Sequence, residues 1–182
     1  MDRAEKTQAK WIAGLAAILA LWAAPTHAQQ LWQKAMYGMT VAQVQQAMPE
    51  TQPYAGPKTT HEGGIEELAQ EGVEIAGLPF RAAFFFADHK LTGVVLDATS
   101  VTDYRSALQH KAKLLPALEA KYGVTTDVKR TAISIIEMTT WRWVSGDTLI
   151  QLNVGAIERE GHVNVAYDPL HSDEAKKAAS QL

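Results

Sequence analysis

Apolar positions along residues 29–182 change their period three times, and each change marks a new kind of element. Val41, Val44 and Met48, with Ala47 beside them, fall at helical spacing. The helix start lies within Tyr37-Gly38-Met39-Thr40-Val41-Ala42-Gln43-Val44. Thr40 can accept from the N–H of Gln43 while the Gln43 side chain reaches back to the Thr40 amide. That is a capping box, and Met39 and Val44 take the hydrophobic-staple positions. Pro49 ends this helix, and Pro53-Tyr54-Ala55-Gly56-Pro57 reads as a loop.

From Ile65 to Asp97 the period is that of strands. Glu71 to Ile75 alternates, and Ala76-Gly77-Leu78-Pro79 forms a turn. Phe80 to Phe86 then places Phe80, Ala82, Phe84 and Phe86 on one face and Arg81, Ala83 and Phe85 on the other. A strand apolar on both faces over most of its length belongs at the centre of a sheet. Asp88-His89-Lys90 turns the chain, and Leu91 to Leu96 returns. Turns this short cannot make parallel crossovers, so these strands form an antiparallel meander.

A second helix is predicted from Thr102 to Tyr122, with Tyr104, Leu108, Leu115, Leu118 and Tyr122 on its inward stripe and Gly123 as its C′ residue. Pro116 lies inside it, where proline costs about 3 kcal/mol or more, which predicts a kink or break near Lys113. Strands then return. Thr131 to Val144 reads as one long run, closed by the turn Ser145-Gly146-Asp147. Thr148 to Val154 points Ile150, Leu152 and Val154 inward and Gln151 and Asn153 outward. After a turn at 158–161, His162 to Tyr167 points Val163, Val165 and Tyr167 inward.

The expected fold is therefore α+β: an antiparallel sheet with helices packed on one face, arranged as a pseudo-repeat of helix plus three-stranded meander. Residues 29–171 form a single domain with units at 35–98 and 99–170, and 172–182 is a Lys-, Ala- and Ser-rich flexible tail. Polar positions on the last strands imply that the second face of the sheet is at least partly wet.

The first 28 residues stand apart from this pattern. Arg3, Lys6 and Lys10 against Asp2 and Glu5 give a weakly positive start, and Trp11 to Ala24 is an uncharged, almost wholly apolar run. Crossing a bilayer takes about 20 apolar residues, so this run is too short to span and suits a signal peptide. Pro25 breaks it, and Thr26 and Ala28 are the small residues of a cleavage site after Ala28. An uncleaved N-terminal anchor is the alternative. The expectation is a periplasmic or secreted protein with no membrane span after cleavage.

Charge and composition narrow the function classes. The whole chain carries a formal charge of −3. Loss of residues 1–28, with three basic and two acidic side chains, makes it −4. No Lys/Arg run is present, which argues against nucleic-acid or anionic-membrane binding. There is no cysteine, so the domain stands on its core without disulfides, and thiol nucleophiles, Cys-ligated metals and an N-terminal lipid anchor are excluded.

Five histidines remain after cleavage: His61, His89, His110, His162 and His171. None has the i, i+4 spacing of a helical metal pair. His61-Glu62-Gly63-Gly64 begins like a zinc-protease motif and lacks the second histidine. They read as scattered surface histidines. There is no Gly-x-Ser-x-Gly elbow and no Gly-rich phosphate loop. Glu62, Glu66, Glu67, Glu71 and Glu74 lack the spacing of a calcium loop and read as a solvated loop and strand face. No catalytic, cofactor-binding or metal-ligating residue is assigned, and no cofactor is implied.

The candidate partner-binding residues are Thr140, Trp141, Arg142, Trp143 and Trp32. On a strand, Trp141 and Trp143 project to one face and Thr140 and Arg142 to the other. Aromatic pairs serve as carbohydrate platforms or interface hot spots, where Trp and Arg are enriched. The alternative packs both tryptophans under the long helix and leaves Arg142 on the open face. For Trp32, docking and simple packing are equally open.

The Tyr37–Val44 stretch also resembles the "Gly-Met-Thr-x-x-Gln-Val" helix start of the BamE (SmpA/OmlA) outer-membrane assembly lipoproteins. The β-lactamase-inhibitor-protein-like fold, a tandem pair of α+β units, uses a similar start. The resemblance covers about 14 residues and implies a non-enzymatic, protein-binding envelope domain. It carries over no binding residues. The chain has no lipidated cysteine and no second copy of the motif. The leading expectation is an exported, non-catalytic binding or accessory module with an envelope protein partner. The alternatives are an envelope hydrolase with a dispersed site and a small-ligand carrier. The carrier would enclose an apolar cavity lined by Phe84, Phe86 and Trp141 or Trp143.

Overall fold

The structure, a computed structural model, describes residues 29–170. The signal peptide expected over 1–28, His171 and the tail expected over 172–182 lie outside the described residues. In chain order the elements begin with β1 (Gln30–Trp32), β2 (Ala35–Met36), α1 (Val41–Ala47), β3 (Gln52–Pro53) and β4 (Thr60–His61). Next come β5 (Gly64–Ile75), β6 (Leu78–Ala87), β7 (Lys90–Ala98) and α2 (Tyr104–Tyr122). The last are β8 (Val128–Ile133), β9 (Ile136–Ser145), β10 (Thr148–Ile157) and β11 (Glu160–Pro169). The main sheet has nine strands in the order β3-β5-β6-β7-β11-β10-β9-β8, with β4 also paired to β5. Every pair is antiparallel.

This corrects the expected helix-packed α+β repeat. The described residues are 54% strand and 18% helix, with two helices among them on a nine-stranded antiparallel sheet. Two physical reasons account for the difference. First, α1 is seven residues long and buries only Val44 completely, so it plugs one corner of the core and adds no layer. Second, the C-terminal segment has four strands where three were expected. The run Thr131–Val144 is broken by a turn at Ser134, which takes φ 52°, so β8 and β9 form a hairpin of their own.

Local signals nevertheless set the elements. The capping box at α1 forms: the Thr40 N–H donates to Gln43 Oε1 at 2.8 Å and the Gln43 N–H to Thr40 Oγ1 at 3.3 Å. Six long or paired hairpins close through two-residue turns whose first residue has positive φ: Glu62, Ala76, Asp88, Ser134, Gly146 and Glu158. That backbone twist matches the right-handed twist of the flanking strands.

The core lies between the sheet and α2. Phe80, Phe84, Leu96, Leu152 and Val165 are fully buried there, each contributing about 1.5–3 kcal/mol by leaving water. The helix turns Ala107, His110, Leu114 and Leu118 inward. Tyr104 and Leu108, expected on the inward stripe, are each 41% exposed. His110, read from sequence as a surface residue, is buried because Ser100 Oγ and the Ser106 carbonyl each meet a ring nitrogen at 2.8 Å. The helix runs unbroken through Pro116. Ala112 and Pro116 are both exposed, so water can serve the carbonyl that proline leaves without an amide.

Candidate functional site

The two faces of the sheet differ in chemistry. One carries the core. The other has a small buried apolar cluster, Ala83, Phe85, Val95 and Ala166, and on β9 and β10 the apolar Ile136, Met138, Val144 and Leu149, with polar side chains between them. Register explains a polar row across this second face. Lys129 on β8 faces Thr140 on β9, Thr140 faces Asn153 on β10, and Asn153 faces Asn164 on β11. Asn164 then faces Asp97 on β7, and Asp97 faces Arg81 on β6. Thr140 Oγ1 donates to Asn153 Oδ1 at 2.7 Å, and Asn153 Nδ2 donates to Asn164 Oδ1 at 2.9 Å.

The β5–β7 half of this face is covered by the segment joining β3 to β4. Its Tyr54 ring lies 4.6 Å from the Arg81 guanidinium. Thr59 Oγ1 donates to Glu66 Oε2 at 2.7 Å. Arg81 Nη2 in turn donates to Glu66, and Arg81 Nε donates to Glu71 Oε1 at 3.1 Å. Burial lowers the Arg81 pKa, but Glu66 and Glu71 raise it by more, so the guanidinium stays charged.

At the end of β4, His61 Nε2 lies 2.7 Å from Asp168 Oδ1, and its ring sits 5.3 Å from that of Phe85. Asp168 is 2% exposed and takes a second contact from Gln151 Nε2 at 3.4 Å. Glycine at position 93 makes room for the pair: a Cβ there would stand 2.7 Å from Asp168 Oδ1 and 3.1 Å from the His61 ring. Burial pushes the His61 pKa down, but the hydrogen bond and charge of Asp168, with the charges of Glu62 and Asp97, raise it by more. An oriented imidazole beside a buried carboxylate is half of a nucleophile-activating relay. Here its other partners are the Phe85 ring and the covering segment, and its evident work is to fasten that segment to β11.

Among the candidate partner-binding residues, the structure separates two groups. Trp143 is 5% exposed, and its indole N–H donates to the Gly123 carbonyl at the end of α2 at 2.8 Å. Trp141 packs at the core margin with Lys111 Nζ 5.4 Å from its ring. Trp32 is 7% exposed and 6.0 Å from the Phe84 ring. All three are packing residues. Thr140 and Arg142 are on the second face, where the Arg142 Nε is buried and has no hydrogen-bond partner. The Arg142 main chain is pinned by its N–H to the Asp127 carbonyl at 3.0 Å and by its carbonyl accepting from Thr125 Oγ1.

The sequence reading did not single out His61–Asp168 or Arg81–Glu66, because their partners lie 107 and 15 residues apart. Among the described residues, no group of three or more His, Asp or Glu could hold a metal ion. No helix among them is long and apolar enough to cross a membrane. Phe84 and Phe86 are closed into the packed core. A cleft of about 190 Å³ lies elsewhere, beside Trp32, Tyr122 and Tyr167. Comparison with protein-family models, curated proteins and solved structures finds no match.

Proposed function

We propose that this chain is an exported, non-catalytic binding module that engages an envelope protein through the β8–β11 half of its second sheet face. The observation that carries this reading is the contrast within one face. The β5–β7 half is partly covered by the chain's own segment, with its arginine hydrogen-bonded and stacked. The β8–β11 half holds half-buried Thr140, Gln151, Asn153 and Asn164, with a buried Arg142 Nε lacking an acceptor. Buried polar groups are normally satisfied, and an unsatisfied donor costs about 1–3 kcal/mol until something supplies the acceptor. A protein-binding envelope role is also what the resemblance of Tyr37–Val44 to the BamE helix start implies. The leader-like residues 1–28 support export.

Site-specific photo-crosslinking tests the reading. A photoreactive residue replaces Asn153 on the face or, as control, exposed Lys113 on the outer side of α2. The expected result is a discrete covalent adduct with one envelope protein from position 153 and none from 113. Equal adducts from both positions, or none from 153, would overturn it.

A further inference from the structure

Resting on that reading of the face, we infer that the partner presents an acidic segment, a carboxylate beside an aromatic ring, to Arg142 and Lys129. The argument starts from the half of the face that is already covered. There the chain shows what an arginine at this surface takes: a Glu66 carboxylate on Nη2, a Glu71 carboxylate on Nε at 3.1 Å, and the Tyr54 ring 4.6 Å away. An internal segment supplies that ring, and His61–Asp168 fastens its end.

Three strands beyond β7 the same surface carries a second arginine without these partners. The outward positions of β8, β9 and β10 include Lys129, Thr140, Arg142, Gln151 and Asn153, and no acidic side chain. Glu137, three positions from Thr140 along β9, points to the opposite side. Asp127 meets Arg142 through its main-chain carbonyl. Among the described residues, the ion pairs are those of His61 and Arg81. The patch therefore has two cations, Lys129 exposed and Arg142 half-buried, with no carboxylate of its own strands beside them. Arg142 as a whole is only half-buried, so a carboxylate can reach the outer edge of its guanidinium and add a charge-assisted bond to a side chain already partly withdrawn from water. The neighbouring amides of Gln151, Asn153 and Asn164 can bond the main chain of a segment laid across the strands.

The probe is a pair of synthetic peptides, acetyl-Gly-Tyr-Glu-Tyr-Glu-Gly-amide and its counterpart with both glutamates replaced by glutamine. Each is titrated into the isotope-labelled protein and followed by amide and arginine Nε–Hε resonances. The expected result is saturable movement of the Arg142 Nε–Hε, Thr140 and Asn153 signals with the acidic peptide, at least tenfold weaker for the glutamine peptide. Arg142→Gln and, independently, Lys129→Gln should each weaken the acidic peptide at least threefold while the remaining spectrum stays folded. If both peptides bind this face equally, the acidic partner is refuted while the binding face survives. If neither moves these signals, or movement falls elsewhere, the acidic partner is refuted, and the crosslink from position 153 then decides the face on its own.

Discussion

Replacing His61 by alanine should lower stability by an amount that depends on pH in a definite direction. Asp168 is 2% exposed, and its short partner is His61 at 2.7 Å, backed by Gln151 at 3.4 Å. Removing one member of a buried ion pair costs about 3–5 kcal/mol. The His61 side chain keeps 23% of its surface in water, so solvent reaches the vacated edge and about 2–3 kcal/mol is expected. The His61 pKa is raised above its ordinary value of 6.5. A group with a raised folded pKa contributes stability that is fully present below the unfolded value. That contribution is lost as pH rises through the folded value. Urea unfolding of the purified protein at about pH 6 and about pH 9 therefore separates charge from packing. The wild type should lose stability from the lower to the higher pH, and His61→Ala should lose less, so the two curves converge upward. Asp168→Asn should flatten the same slope. A His61→Ala effect that is equal at both pH values, or below about 0.5 kcal/mol at the lower one, would refute the latch as a charged pair.

Other consequences follow from the same face and from close approaches in the sheet. Gly93→Ala would set a methyl 2.7 Å from Asp168 Oδ1, and should cost about 1–3 kcal/mol while moving the His61 NMR titration midpoint down towards its ordinary value. Asp97 still meets water, but crowding of its carboxylate by the neighbouring strands β6 and β11, with the Glu66 charge, raises its pKa by more than Arg81, His162 and His61 lower it. The folded state thus favours the protonated form, so Asp97→Asn should stabilise the protein at neutral pH, with the gain fading in denaturation below the carboxylate range. Gly155 faces Met138 in register, and a Cβ there would stand 1.9 Å from the Glu137 carbonyl oxygen. Gly155→Ala must therefore push β9 and β10 apart and should cost about 3 kcal/mol or more in urea unfolding.

The elements were legible where local chemistry decides them. Thr40 and Gln43 announce α1, and Ile150, Leu152 and Val154 announce the inward face of β10, because both depend on neighbours within four residues. The β8–β9 turn was not legible, because Ser134-Ile135 carries no glycine, proline or asparagine and sits inside an apolar run. Nor was the inward face of α2. Tyr104 and Leu108 fit the stripe by hydrophobicity, but the capping box of Asp103 and Ser106 and the serine contacts of His110 fix the helix so that Ala107 and His110 face the sheet. Hydrogen bonds to serines within the helix and just before it favoured a histidine over a leucine there, which no hydrophobic count weighs.

The candidate site was half legible for a related reason. Alternation on β9 sends Arg142 to one face and the tryptophans to the other, and the structure has them so. What the sequence does not carry is the difference between Arg81 and Arg142. Both are single arginines between apolar neighbours on a long strand. One acquires Glu66 and Glu71 because β5 pairs beside it with two register shifts, at Glu66–Leu68 and Gln70–Val73, that bring both carboxylates to its side. The other lies on β9 between β8 and β10, whose outward positions bear no acid. Strand order, which is a global property, thus decides which arginine is a structural member of the fold and which is left to an external carboxylate.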